Sequence, residues 1–240
     1  MTIPKHLNKS PIVDSICEIR FDSSLPMDIV PGSITSALKE LNISEIEKLP
    51  ILQIPESVRE VDSTLIYAPY YKAKIGDATL QFGARMIAVS SPMPYIGWAL
   101  FLPIIESVLN EVLKTDIIGQ VKRVAIRTVN FFEEDILKNL KFTVTSPILS
   151  KKTQYHYTEN YGDNDFVVRT TIANNARRPV SKDEIVLGSV LDLDSYIEKN
   201  INAELPLIMS HISTTHDKGK NIFFDLLNDE FLESLEPSDD

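Results

Sequence analysis

The sequence predicts an α+β fold, an antiparallel sheet with two long helices packed on one face. Three observations lead there. Wide apolar stripes at helical spacing occupy 98–114 and 203–227. Several shorter runs alternate apolar and polar residues, as half-buried strands do. The order strand, helix, strands, longer helix also runs twice, which reads as an internal duplication with halves at 1–118 and 119–240. Helices segregated from antiparallel strands give an α+β architecture rather than a parallel α/β one.

The first strand is PIVDSICEIRF (11–21). Val13, Ser15, Cys17, Ile19 and Phe21 fall on one side and Asp14, Glu18 and Arg20 on the other. A helix is predicted over 34–43, with Ser33 as its cap. The Pro-punctuated stretch 49–60 reads as a connection. Two strand-like runs, 65–75 and 79–90, flank the turn Gly76-Asp77. Leu80, Phe82, Ala84, Met86 and Ala88 of the second run share one side. The long helix after Gly97 carries Leu100, Phe101, Ile104, Ile105, Val108, Leu109, Val112 and Leu113 as its stripe, with Pro103 near its start.

The second half opens on VKRVAIRTVNFF (121–132), rich in β-branched residues. A short helix is predicted over 133–140. Strands are predicted near 141–146, 154–161, 166–173 and 185–194, with a hairpin turn at 162–165 and a polar, basic loop at 174–181. The last long helix takes Pro206 in its first turn, and Asn228 caps a final short helix.

Charge is unevenly placed. Net charge is −10, but residues 225–240 hold seven acids and no base, so the remainder carries 24 bases against 27 acids. The simplest reading of the acidic end is a solvated helix face and a frayed tail; the sharper one is a contact for a basic partner. Overall acidity argues against nucleic acid, although Arg177, Arg178, Lys182, Lys151 and Lys152 lie near Tyr155, Tyr157 and Tyr161. No apolar run is long enough to span a bilayer, and the N-terminus lacks the apolar core of a signal peptide. A single cysteine, Cys17, fits a reducing cytoplasm.

PIVDSICEIRF, LPILQIPESVRE, the join ending in Gly97-Trp98, VAIRTVNFF and the closing FFDLLNDEFLESL together resemble a family of prokaryotic proteins described only as sporadically distributed and of unknown function. The resemblance covers nearly the whole chain. It implies no activity, cofactor or catalytic residue. Members usually have an aromatic residue after the arginine of the VAIRTVNFF strand, where this chain has Thr128. Patchy distribution is similar to that of mobile defence and toxin–antitoxin genes.

No catalytic signature stands out. There is no phosphate-cradling glycine loop and no nucleophile elbow. His211 and His216 lie about 140° apart around a helix, not side by side as zinc ligands would. No catalytic residue, metal or cofactor is therefore assigned. The binding candidates are polar or aromatic groups on apolar elements: Arg85, Arg127, Asn130 and Arg169 in strands, and Trp98 at a helix start. A strand arginine ordinarily lays its stem over apolar neighbours with its head in water. The alternative is one shared groove that clamps a carboxylate, a phosphate or a peptide backbone.

The leading expectation is a cytoplasmic, non-enzymatic interaction or regulatory component of a mobile-element, toxin–antitoxin or anti-phage locus. Its partner would be a protein, met by the open sheet face or the acidic end, with self-association also compatible. The alternative is a small-molecule or peptide-binding module with a pocket between the sheet and helix 98–114. A deep apolar pocket with a few convergent polar groups separates the second from the first.

Overall fold

The computed structural model describes residues 3–143, 154–181 and 184–238. A single antiparallel sheet of nine strands organises them, in the order β3-β4-β5-β6-β2-β7-β10-β9-β8. The strands are β2 (Ile12–Asp22), β3 (Ser44–Lys48), β4 (Tyr71–Ile75), β5 (Ala78–Phe82), β6 (Met86–Pro92), β7 (Gln120–Phe132), β8 (His156–Asp163), β9 (Phe166–Pro179) and β10 (Ile185–Asn202). A separate two-residue pairing joins β1 (His6–Leu7) to β11 (Pro237–Ser238). The helices are α1 (Val30–Ala37), α2 (Glu56–Arg59), α3 (Trp98–Leu113), α4 (Leu205–Leu226) and α5 (Asp229–Ser234).

Strand order is the same in both halves. Outward from the centre the first half runs β2, β6, β5, β4, and the second runs β7, β10, β9, β8. β2 and β7 pair antiparallel in the middle, with Glu18 opposite Ala125. One apolar core runs through both halves, from Phe21 and Leu80 to Leu191 and Ile212. Beyond the shared plan, the first half adds the edge strand β3, and the place of α1 is taken in the second half by a single 3-10 turn, Ile136–Asn139.

Parity assigns the two sheet faces. Cys17, Ile19, Val124, Ile126, Leu191 and Leu193 are buried beneath the helices. The helix α3 presents Phe101, Ile105, Val108, Leu109 and Val112 to that core. Leu100, expected in its stripe, is 65% exposed instead. On α4, Ile208, Ile212, Thr215, Phe223 and Phe224 face inward.

Local expectations are corrected at five places. α1 begins at Val30, with Pro31 in its first turn, so Ser33 lies inside the helix and its hydroxyl donates back to the Ile29 carbonyl at 3.4 Å. The run 65–75 is a strand only from Tyr71. The run 79–90 is two strands, because the chain turns over Gly83–Arg85, where a Cβ on residue 83 would lie 2.4 Å from the Ala68 carbonyl oxygen. The basic stretch 174–181 continues β9 as far as Pro179 instead of forming a loop. The acidic end is tied down: β11 pairs with β1, Lys9 bridges to Glu236 at 2.8 Å, and Lys141 bridges to Asp229 at 2.9 Å. Residues 144–146 of the strand expected near 141–146, together with Lys151, Lys152, Lys182, Asp239 and Asp240, lie outside the described residues.

Candidate ligand cavity beneath the long helices

A cavity of about 370 Å³ lies between the helix-covered face of the sheet, α4, the start of α3 at Trp98 and the N-terminal segment. Its floor is the middle of β7 and β10: Ile126, Thr128, Asn130 and Ser195. These share one face because Ser195 pairs with Ile126, Leu193 with Thr128 and Leu191 with Asn130. Its roof is one stripe of α4, His216, Gly219, Lys220, Phe223 and Phe224, spaced at three and four residues. Tyr95, Ile96, Gly97 and Trp98 close one end. Gly97 has φ 85°, a left-handed conformation open to glycine, and it turns the chain from β6 into α3. The N-terminal segment with Lys5, His6 and Leu7 forms the rim, held there by its pairing with β11.

The walls are apolar and aromatic, and the floor is polar but uncharged. Trp98 and His216 stack in parallel, with ring centroids 3.7 Å apart and planes within 8°. Asn130 is buried and donates from Nδ2 to the Leu191 carbonyl at 3.0 Å. Ser195 is 1% exposed, and its Oγ has no hydrogen-bond partner among the described residues. That hydroxyl lies against α4: a Cβ on residue 219 would come within 2.4 Å of it, so only glycine lets the helix approach the strand this closely. Burial holds the His216 imidazole below its usual range, offset in part by its contact with Asp217 at 2.9 Å, so the ring is neutral near neutral pH. Burial likewise pushes the Tyr95 phenol up to about 12, against a hydrogen bond with Ser15. At the rim Lys220 donates to the Lys5 carbonyl at 3.2 Å.

The opposite face carries the charges. Arg123, only 8% exposed, bridges Glu18 at 2.5 Å and Asp194 at 2.7 Å, and its guanidinium lies 4.4 Å above the Tyr196 ring. Arg127 grips Asp192 with two hydrogen bonds, at 2.9 and 2.5 Å. Arg20 bonds Glu18 and stacks over Tyr67. Every arginine of this cluster has a carboxylate, so the cluster reads as a knitted surface rather than an empty anion clamp. Asp14, beside it, is held above the usual carboxylate range by desolvation, with Ser15, Arg127 and Lys72 pulling the other way.

The binding candidates of the sequence divide among three places. Trp98 and Asn130 line the cavity. Arg127 and Arg169 belong to the charged face, where Arg169 is exposed and donates to Asn160 at 3.1 Å. Arg85 is not in a strand; it occupies the β5–β6 turn and donates to the carbonyls of Ala84 and Leu25. They do not form one groove. Thr128, Ser195, His216 and Gly219 join Trp98 and Asn130 in the lining; of these four the sequence offers only His216, as a metal ligand with no assembled site. Their signal was available as polar residues on the core-facing parity of two strands and a glycine within a long helix.

Among the described residues no three histidine, cysteine or acidic side chains gather as a metal site, and no helix is long and apolar enough to cross a membrane. No family model and no curated protein matches the chain.

Proposed function

We propose that this protein is a non-enzymatic binding module that holds a small organic molecule in the cavity beneath α3 and α4 and acts as a regulatory component. The observation that carries the reading is a cavity of about 370 Å³ with aromatic walls and a floor of converging neutral polar groups. That volume and lining are those of small-molecule sites, where apolar walls supply affinity and a few polar groups fix orientation. The resemblance to a sporadically distributed prokaryotic family adds the proposal that the module serves a mobile-element, toxin–antitoxin or anti-phage locus.

A thermal-shift screen of a chemically diverse small-molecule library against the wild type and Thr128→Phe tests the reading. A ligand at a hundred times its Kd stabilises by about 2.7 kcal/mol, well within reach of such a screen. Compounds should raise the Tm of the wild type and leave Thr128→Phe, with its cavity filled, unmoved. A screen without stabilisers, or one whose hits act equally on both proteins, overturns it.

One observation favours a protein partner as a second reading. The β9–β10 hairpin extends past the end of β7 and exposes Val180, Ile185 and Leu187, each more than half exposed. Large apolar groups grouped on a projecting arm suit a protein contact. Ile185→Lys combined with Leu187→Lys should abolish such an association and leave ligand binding intact.

A further inference from the structure

We propose, building on the ligand-binding reading above, that the cavity selects an uncharged, flat molecule of about two rings whose buried end both donates and accepts a hydrogen bond, as a carboxamide or lactam does. Size comes first. A dry cavity of about 150 Å³ accepts benzene, and this one is about 370 Å³. Shape follows from the Trp98–His216 stack, a flat wall whose planes differ by 8°. Flat rings pack against such a wall by offset stacking or edge contact.

The floor decides the chemistry. Asn130 commits its Nδ2 to the Leu191 carbonyl, which leaves Oδ1 to accept from a ligand N–H or O–H. The Ser195 hydroxyl is buried and unpartnered where Gly219 of α4 crosses the strand, behind the surface that a ligand would touch. Thr128 adds a second hydroxyl on the same face. The Thr128 hydroxyl beside the Asn130 amide oxygen offers a donor to a carbonyl and an acceptor to its N–H. No carboxylate, ammonium or guanidinium lines the floor, so an ionised ligand group there would be buried without a counter-charge. The cationic side chains of the cavity, Lys5 and Lys220, stand at the rim, where the Lys220 ammonium is already engaged by the Lys5 carbonyl.

A matched set of three probes tests the proposal: naphthalene carboxamide, naphthalene carboxylate and naphthalene itself. Each is titrated into the full chain by calorimetry and followed through the indole N–H resonance of Trp98, the only tryptophan. The carboxamide should bind at least tenfold more tightly than the other two and move the Trp98 resonance. Thr128→Val should reduce that preference by about threefold to tenfold, the worth of one neutral hydrogen bond. Carboxylate binding as tight as the carboxamide, weakened by salt, would put an anion at the rim and overturn the selectivity while leaving the cavity a binding site. Naphthalene binding as tightly as the carboxamide would overturn the role of the floor. Failure of all three to bind overturns the selectivity and the ligand-binding reading together.

Discussion

The two faces of one sheet solve the burial of polar groups in opposite ways. On the open face, charged side chains lie within reach of one another and of water: Arg123 sits between Glu18 and Asp194, and Arg127 holds Asp192. Beneath the helices the polar groups of the floor are neutral, and the Ser195 hydroxyl lacks a protein partner among the described residues. A closed network stabilises its own geometry, whereas a buried hydroxyl without a partner leaves a bond unmade. The same strands carry both, since alternate residues of β7 and β10 point to opposite sides.

The largest test of the contrast removes packing from the covered face. Leu109, 1% exposed on α3, should cost about 2–5 kcal/mol when replaced by alanine, through lost burial and the space left behind. Urea denaturation measures it, and an unchanged midpoint would mean that α3 does not seal this face. On the open face, Arg123→Met should cost about 3 kcal/mol, because it leaves Glu18 and Asp194 facing each other without their cation. Replacing all three together with apolar residues should recover most of the loss, which separates a broken network from lost packing.

The contact between α4 and the cavity floor is tested by Gly219→Ala. Alanine ordinarily stabilises a helix interior by about 1 kcal/mol over glycine. Here the new methyl meets the Ser195 hydroxyl, so a loss of about 1–3 kcal/mol is expected from overpacking. Adding Ser195→Ala should restore part of it, and additive losses in that double-mutant cycle would place the two residues out of contact.

The smallest effect is pH-dependent. The folded pKa of His216 is depressed, chiefly by burial, so the folded state disfavours the proton that the unfolded chain takes up. The stability this gives is present above the unfolded value of 6.5 and is lost as pH falls through the lower folded value. His211, shifted the same way by burial and by Lys199, adds to the decline. Denaturation midpoints measured from neutral to mildly acidic pH should fall less steeply in His216→Gln than in the wild type. Parallel curves would show that the imidazole is equally solvated in both states.

Much of the fold could be read because its causes are local. Alternation in PIVDSICEIRF and the β-branched residues of VKRVAIRTVNFF marked the two central strands, and helical spacing marked α3 and α4 almost to the residue. Non-local causes went unread. The break at Gly83 exists because the Ala68 carbonyl passes beside it, and α1 starts early because Val30 and Ile34 must reach the core. Of the candidate site, Trp98 and Asn130 were recognised as polar or aromatic groups in apolar surroundings. Their grouping with Arg127 failed on parity, since residues 127 and 130 of one strand face opposite sides.

By itself the sequence determined the α+β class, the doubled order of elements and the two helices that cover one face, because periodicity and turn chemistry are written in neighbouring residues. Only the tertiary structure decided that the halves join at β2 and β7 in one continuous sheet, that the N-terminal segment is pinned over the cavity by the acidic end, and that Thr128, Asn130, Ser195 and His216 converge. Those outcomes depend on strand register and on how closely a helix can approach a sheet. Both are set by contacts between residues far apart in the chain, which no local pattern encodes.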